Sequence, residues 1–240
     1  MLKLTDLPPP PTLPHVHTRL TRQGLELRVD GTLASLLKPG RVTSGPVWDA
    51  IAAPLLALPP GRLGSLLMVG FGAGTVARLA RALAPSLRIV GVERDQEVLA
   101  VARRDFGLDA IDAELVVDDA LSFLKREHRL FDAVVEDLFG GSRSPLHKPD
   151  WLLDHYPLLR QRVAPGGVLI TNTIHENREL ARILKASPGT VLRMAVRHHY
   201  NHVLAVGPPG LQAPALRRTI RAHKILSPSL PGFTLRTLRA

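Results

Sequence analysis

Residues Leu66–Asp95 read LLMVGFGAGTVARLARALAPSLRIVGVERD, and this stretch decides the fold. The apolar run at 66–69 has no polar face, which is typical of a central strand in a parallel sheet. Three glycines at alternate positions follow, and glycine lets the backbone turn sharply and approach a ligand closely. A segment with helical spacing comes next at 75–83, and a second apolar strand ends at Glu93. The stretch therefore predicts a strand, a turn, a helix and a second strand with an acidic tip.

The glycine turn and Glu93 together predict a nucleoside site. A carboxylate at that tip can accept hydrogen bonds from both ribose hydroxyls, while the helix N-terminus faces the polar tail of the ligand. Dinucleotide enzymes prefer G-x-G-x-x-G/A, whereas here Gly70, Gly72 and Gly74 form G-x-G-x-G and Thr75 takes the last position. This spacing resembles motif I of class I S-adenosylmethionine enzymes. The alternative is a tight strand–helix turn that binds no ligand.

Composition restricts the class of protein. A chain of 240 residues that is 45% hydrophobic can form one domain with an appendage, or two small domains. No apolar run approaches the roughly 20 residues that cross a bilayer, and the N-terminal segment lacks the apolar core of a secretory signal. The absence of cysteine excludes disulfides, thiolate catalysis and cysteine-bound metal. We expect a cytoplasmic protein that does not interact with membranes.

Positive charge is concentrated toward the end of the chain. Glu179 is the last acidic residue, and the basic residues after it account for the whole net charge of +10. Such a segment can attract nucleic acid or an acidic partner. No aromatic residues interleave these charges as single-strand binding would require, so a solvated face or pairing within the fold or with a second subunit is favoured.

The N-terminal part predicts a small β unit. Residues 1–14 include four consecutive prolines and predict an extended arm. Apolar and polar residues alternate over 24–36 around an Asp30-Gly31 turn, a strong indication of a hairpin. Residues 46–58 then predict a helix with proline in its first turn.

Strands and helices alternate downstream of Glu93. The predicted elements are a helix from Asp95 to about Phe106, a strand at 114–117, a helix to about Arg126, a strand at 131–136, a helix at 151–163, a strand at 168–171, a helix at 176–186 and a strand pair at 191–196 and 202–206. Alternation implies right-handed crossovers and a parallel sheet. We predict an α/β, Rossmann-like class I methyltransferase fold, with a mostly parallel seven-stranded sheet that ends in an antiparallel hairpin.

The predicted organisation has three parts. Residues 1–60 hold the arm, the hairpin unit and a helix, and residues 61–209 form the nucleoside-binding domain. Residues 210–240 form a basic C-terminal tail, with a short helix near 211–224 and irregular structure from Ser227.

Acidic residues end three successive predicted strands, at Glu93, at Asp118 and Asp119, and at Asp137. Ligands bind at the carboxyl ends of strands in open α/β sheets. Glu93 suits a ribose, Asp119 with Ala120 suits the exocyclic amine of adenine, and Asp137 would face the reacting centre. Any one acid could instead cap a helix, Asp119 above all, but three at these strand ends favour a ligand.

The order of motifs is similar to that of spermidine synthase and its relatives over about residues 20–207. The motifs that carry the resemblance are DG, GFGAGT, GVERD, DDA, FDAVVEDLFG and APGGVLI. The resemblance implies an S-adenosylmethionine-type fold after an N-terminal β unit, commonly in a homodimer. It also implies Glu93 as the ribose acid, Asp119 and Ala120 as the adenine pair and Asp137 as the catalytic aspartate. The mobile loop of the family, which closes over the amine, matches about 138–150.

Four positions depart from the family pattern. Its glycine motif is usually GGGDGG, and Ala73 replaces the acid; Gly140 replaces the aspartate expected after the catalytic one. Ala34 stands where a glutamine is expected and Trp48 where a tyrosine is expected. Polyamines are held by carboxylates and aromatic faces, so putrescine is not the expected substrate. A neutral Ala73 tolerates the carboxylate of S-adenosylmethionine, whereas an aspartate would attract the ammonium of its decarboxylated form.

We expect a transferase that binds S-adenosylmethionine and methylates an unidentified small-molecule acceptor. The alternatives are an aminopropyltransferase that uses decarboxylated S-adenosylmethionine, and a non-catalytic nucleoside- or nucleic-acid-binding protein. The acceptor would attack in line the carbon next to the sulfonium, with Asp137 orienting it or accepting its proton.

The predicted site residues fall into two groups. The donor side consists of Gly70, Gly72, Ala73, Gly74, Glu93, Arg94, Asp118, Asp119 and Ala120. The acceptor side consists of Trp48, Tyr156 and His175, each of which could instead be structural. His198, His199 and His202 lie on a predicted hairpin without matching acids, so no metal is expected.

Overall fold

The computed structural model describes residues 14–140 and 146–238. The arm predicted over 1–14 therefore lies outside the described residues except at Pro14, and residues 141–145 of the predicted loop also lie outside them.

The N-terminal part is a three-stranded antiparallel sheet of β1 (Val16–Thr21), β2 (Gly24–Val29) and β3 (Thr32–Leu37). Asp30 and Gly31 have φ values of 48° and 77°, which is the backbone that a tight hairpin turn needs. The predicted hairpin is confirmed, and β1 is an additional strand that pairs with β2.

The helix that follows is shorter than predicted. Helix α1 covers Pro46–Ala52, and a 3-10 segment at Ala53–Ala57 replaces its expected last turns. Pro54 explains the change, because its ring removes a backbone N–H donor and crowds the preceding turn.

A mixed eight-stranded sheet with helices on both faces forms the body of the molecule. Its strands are β4 (Ser65–Val69), β5 (Arg88–Glu93), β6 (Ala113–Val117), β7 (Phe131–Glu136), β8 (Val163–Thr173), β9 (Thr190–Val196), β10 (His202–Gly207) and β11 (Phe233–Leu238). Its helices are α2 (Thr75–Leu83), α3 (Gln96–Phe106), α4 (Ala120–Arg126), α5 (Leu152–Gln161), α6 (Asn177–Lys185) and α7 (Ala213–Ala222).

The strand order is β11-β9-β10-β8-β7-β4-β5-β6. Strands β4 to β8 run parallel, and β10, β9 and β11 complete the sheet with antiparallel pairings. The predicted class I methyltransferase fold is confirmed, with one strand more than predicted. The chain passes from β4 to β5 on one side and returns to β7 on the other, so a ligand crevice is expected at the carboxyl end of β4.

The end of the chain is more regular than its sequence suggested. The prediction of irregular structure from Ser227 is wrong, because residues 227–232 form a 3-10 segment and β11 pairs with β9 along its whole length. Phe233 is buried at the start of β11 and anchors the strand on the core. Within the described residues, no helix is both long and apolar enough to span a bilayer.

Candidate functional site

The turn between β4 and α2 leaves no room for a side chain at its three glycines. Gly70, Gly72 and Gly74 have φ values of 82°, 56° and 74°, a region that favours glycine. A Cβ atom on Gly70 would lie 2.6 Å from the backbone oxygen of Asp137. The glycine turn therefore lies directly against the end of β7, so the predicted donor side adjoins Asp137.

Phe71 carries the bulky side chain of this turn. Phe71 is 3% exposed, and its ring packs on the backbone of Gly91, where an added Cβ atom would lie 2.1 Å from the ring. The ring is thus part of the core on one face of the sheet.

Glu93 ends β5 and turns toward the glycine turn. Its Oε2 atom accepts a hydrogen bond from the backbone N–H of Gly72 at 2.9 Å, and its Oε1 atom accepts one from that of Asp95 at 3.2 Å. Burial raises the pKa of Glu93, and these hydrogen bonds oppose the shift. Each carboxylate oxygen has two lone pairs, so each retains an acceptor position for a ligand hydroxyl. The role of Glu93 as the ribose acid stays a prediction.

The N-terminal sheet is fastened to the start of α2. The Ser35 hydroxyl accepts a hydrogen bond from the backbone N–H of Ala73 at 2.9 Å, and Ser35 is buried. The Thr75 hydroxyl is 3.3 Å from both backbone polar atoms of Leu36. Sequence reasoning missed Ser35, because an ordinary serine in a short strand carries no signal of a partner so far along the chain.

The acids after β6 make local contacts. Asp119 caps α4, since its Oδ1 atom accepts a hydrogen bond from the backbone N–H of Ser122 at 2.9 Å. Asp118 accepts a hydrogen bond from the backbone N–H of Asp119 at 2.8 Å and forms an ion pair with Arg126. Asp119 therefore has the capping role that its sequence position also allowed, and Ala120 is buried beside it in the first turn of α4.

Asp137 follows β7 at the predicted reacting centre. Its Oδ1 atom accepts a hydrogen bond from the Asn172 amide at 2.8 Å, and the Asn172 carbonyl accepts one from the Asn201 amide at 3.0 Å. Burial raises the pKa of Asp137, against the opposing effects of the Lys148 charge and the Asn172 hydrogen bond. The two asparagines, which sequence reasoning missed, hold the carboxyl group in one orientation.

A buried ion pair adjoins Asp137 and was also missed. The Lys148 ammonium lies 2.7 Å from Glu136 Oε1, and the side chains of these two residues are 2% and 0% exposed. The ammonium also donates to the backbone oxygen of Leu138 at 3.0 Å and lies 4.1 Å from the centre of the Phe139 ring. The Thr171 hydroxyl donates to the other oxygen of Glu136. The Lys148 side chain, which belongs to the predicted loop, is therefore fixed in the protein interior.

The predicted acceptor-side residues occupy different environments. Trp48 is half-buried and packs against the core, and Tyr156 is fully buried in the face of the sheet that α5 covers. His175 is exposed just beyond β8, and Arg94 is exposed beyond β5. Over residues 14–140 and 146–238, no three potential ligands of the His, Cys, Asp or Glu type come together as a metal site.

No family model matches the chain. It is 30% identical over 123 residues to a probable polyamine aminopropyl transferase of Bifidobacterium longum, a match that covers 51% of this chain and 26% of that protein. The chain therefore spans about a quarter of the length of that relative.

Two solved structures have the same fold. A probable spermidine synthase from Corynebacterium glutamicum gives a TM-score of 0.71 at 17% identity, covering 92% of this chain and 87% of that one. Human methyltransferase-like protein 13, in complex with S-adenosylhomocysteine, gives a TM-score of 0.61 at 23% identity, and the match covers 77% of this chain and 91% of that one. At these identities the two structures show the fold alone. The chain therefore has the class I methyltransferase fold, and about half of its sequence is similar to that of the Bifidobacterium protein.

Proposed function

We propose that this protein is an S-adenosylmethionine-dependent methyltransferase whose acceptor is not a polyamine. The observation that carries the proposal is Glu93, a half-buried carboxylate that faces the glycine turn and, among the described residues, accepts hydrogen bonds only from backbone N–H groups. Such a carboxylate keeps acceptor positions for the two hydroxyls of a ribose. The fold is shared with the human protein whose structure holds S-adenosylhomocysteine.

The start of α2 favours the unmodified donor over its decarboxylated form. Ala73 places no charge at this helix N-terminus, where the partial positive charge of the helix favours an anionic group. The carboxylate of S-adenosylmethionine suits this position. At the same end, the decarboxylated compound has an ammonium but no carboxylate, and this ammonium would lack an acidic partner at Ala73.

The acceptor side disfavours a polycation. Polyamines are held by carboxylates, and the acid next to Asp137 is already engaged. Glu136 is paired with the buried Lys148 ammonium, so it offers no free carboxylate to a second cation. Gly140 adds no carboxylate either. A neutral or anionic nucleophile is therefore the acceptor class that we propose.

Asp137 has the position of a base for this reaction. The bound donor would supply a methyl group on a positively charged sulfur. As the acceptor forms its bond to that carbon, the carbon–sulfur bond breaks and its electron pair stays on the sulfur. Asp137 in its ionised form accepts the proton that the acceptor loses, and the pKa elevation caused by burial makes it a stronger base. Asn172 holds this carboxylate in place while the proton moves.

Calorimetry with the two donors tests the proposal. We expect S-adenosylmethionine to bind to the whole chain at least about tenfold more tightly than its decarboxylated form, a difference of about 1.4 kcal/mol. Binding of the decarboxylated form alone would contradict methyl transfer and favour the second candidate function, polyamine aminopropyl transfer. That is the activity in the name of the Bifidobacterium relative. Failure of both compounds to bind would contradict the nucleoside site.

A further inference from the structure

A cleft of about 790 Å³ lies between α6 and the edge strand β11 with its neighbour β9. Basic side chains dominate its lining, and none of the lining residues is aromatic. The cationic residues are Arg178, Arg182, Lys185, Arg193 and Arg236. This basic cleft contains none of the predicted donor or acceptor residues.

The two cations on the strands are placed against each other. Arg193 on β9 and Arg236 on β11 are direct partners in the antiparallel register, so their side chains leave the same face of the sheet. Like charges directly opposite each other destabilise a strand pair, and Arg193 is also partly buried. Within residues 14–140 and 146–238, no carboxylate forms an ion pair with either guanidinium.

Helix α6 adds three more cations to the same cleft. Arg178, Arg182 and Lys185 recur at helical spacing and form one face of α6, while Leu180 and Leu184 face the core. The acidic residue in this helix is Glu179, which is 3.7 Å from Arg182 in an exposed pair and contributes little. In the part of the chain that the structure describes, five positive charges therefore lie together with one weak acidic partner.

We propose that the basic cleft binds the phosphate backbone of a nucleic-acid duplex. The α6 cations span on the order of 10 Å along the helix axis, a length over which one strand of a duplex presents three phosphates. Arginine, which supplies four of the five cations, binds phosphate oxygens with two parallel hydrogen bonds. Since single-strand binding relies on aromatic stacking, the lining of this cleft suits duplex phosphates better. The inference does not depend on the donor site.

Fluorescence anisotropy with a labelled RNA duplex of about 20 base pairs tests this proposal. The cleft variant Arg193→Gln/Arg236→Gln is compared with a control, Arg218→Gln/Arg221→Gln, which removes the same charge from exposed positions on α7 outside the cleft. We expect the cleft variant to bind about tenfold or more weakly at 100 mM salt, with a log–log salt slope smaller by about 2. We expect the control to retain its affinity within about threefold, since it leaves the phosphate contacts intact.

Two further readouts separate the proposal from trivial effects. The midpoint of thermal unfolding of the cleft variant should equal or exceed that of the unmodified protein, because a repulsive pair has been removed. Equal binding of an RNA and a DNA duplex supports recognition of phosphates. The proposal is overturned by absence of binding at 50 mM salt, by equal losses in the cleft and control variants, or by tighter binding of single-stranded RNA.

Discussion

Two glutamates at the ends of parallel strands differ in their burial and in the donors that surround them. Glu93 ends β5 and Glu136 ends β7, on either side of β4. Glu93 is half-buried and accepts hydrogen bonds from two backbone N–H groups. Glu136 is fully buried, and its two oxygens accept hydrogen bonds from Lys148, Thr171 and the backbone of Leu138.

The comparison shows that position at a strand end does not make a carboxylate available to a ligand. The hydrogen bonds that Glu93 accepts within the described residues come from backbone N–H groups, which carry no full charge, and each of its oxygens keeps a second lone pair. The ammonium at Glu136 neutralises the charge, and the other donors saturate the group. Glu93 therefore keeps acceptor capacity for the ribose that we propose, whereas Glu136 holds Lys148 beside Asp137.

The largest expected effect is on the free energy of unfolding, and it tests the ion pair between Glu136 and Lys148. Lys148→Met leaves a buried carboxylate without its cation, and we expect the free energy of unfolding to fall by about 3–5 kcal/mol in urea denaturation. The double variant Glu136→Gln/Lys148→Met removes both charges and should recover most of that loss. Equal losses in the single and double variants would show that the buried charge is not the cause.

The next effect concerns binding by Glu93. Glu93→Gln removes the charge and one acceptor oxygen, and we expect affinity for S-adenosylmethionine to fall by about 10- to 100-fold, as for loss of a hydrogen bond to a charged group. Calorimetry measures the change, and Glu97→Gln, at an exposed position in the first turn of α3, is the matched control. If the two variants bind equally well, Glu93 does not contact the donor.

The same variant gives a smaller effect on stability with a defined sign. Because the pKa of Glu93 is raised in the folded state, folding favours its protonated form. The stability of the protein is therefore expected to fall as pH rises from the ordinary glutamate pKa through the raised one. Glu93→Gln removes this loss but also one acceptor oxygen, a cost that is the same at every pH. We therefore expect its midpoint of thermal unfolding, relative to that of the unmodified protein, to be higher at pH 7 than at pH 4, and a relative midpoint that does not rise between these pH values would contradict this account.

The smallest effect concerns the N-terminal sheet next to Glu93. The His15 ring lies 2.6 Å from Asp30 and 2.8 Å from Asp95, and these hydrogen bonds, that of Asp30 first, raise the pKa of His15. Its contribution to stability is therefore fully present below the ordinary histidine pKa and is lost as pH rises through the raised one.

Because the ring is well exposed, we expect His15→Gln to lower the midpoint of thermal unfolding by no more than about 2 °C at pH 5.5. The difference should vanish at pH 9, where the ring is neutral in both the folded and the unfolded protein. Scanning calorimetry at the two pH values measures it, and an equal difference at both would indicate lost packing in place of lost charge. His17→Gln, a nearby histidine that contacts no carboxylate in the described residues, is the control.

Sequence reasoning succeeded where the signal is local. The apolar run at 66–69, the alternate glycines and the Asp30-Gly31 turn each act through neighbouring residues, and the strands and the hairpin that they predict are present. It failed for β11, because a six-residue edge strand that contains arginine lacks the apolar run of a central strand. The β1 strand was missed for a similar reason, since its apolar and polar residues do not alternate regularly.

The site residues that were missed share a different property. The hydroxyl of Ser35 reaches Ala73, and Asn172 reaches Asp137, across 38 and 35 positions of the chain respectively. Lys148 lies in a segment rich in glycine and proline, where no periodicity indicates that a side chain turns inward. Such contacts exist because strands distant in sequence become neighbours in the sheet, and no local pattern encodes them.

The sequence by itself determined the parallel sheet, the glycine turn and the presence of acids at three strand ends, because backbone preference and side-chain periodicity are local properties. Only the tertiary structure decided which acids are already engaged. Asp119 caps a helix, Asp118 pairs with Arg126 and Glu136 pairs with Lys148, whereas Glu93 accepts hydrogen bonds only from backbone N–H groups within the described residues. The physical reason is that a carboxylate is satisfied by whichever donors converge on it, and the packing of the strands and loops sets that convergence.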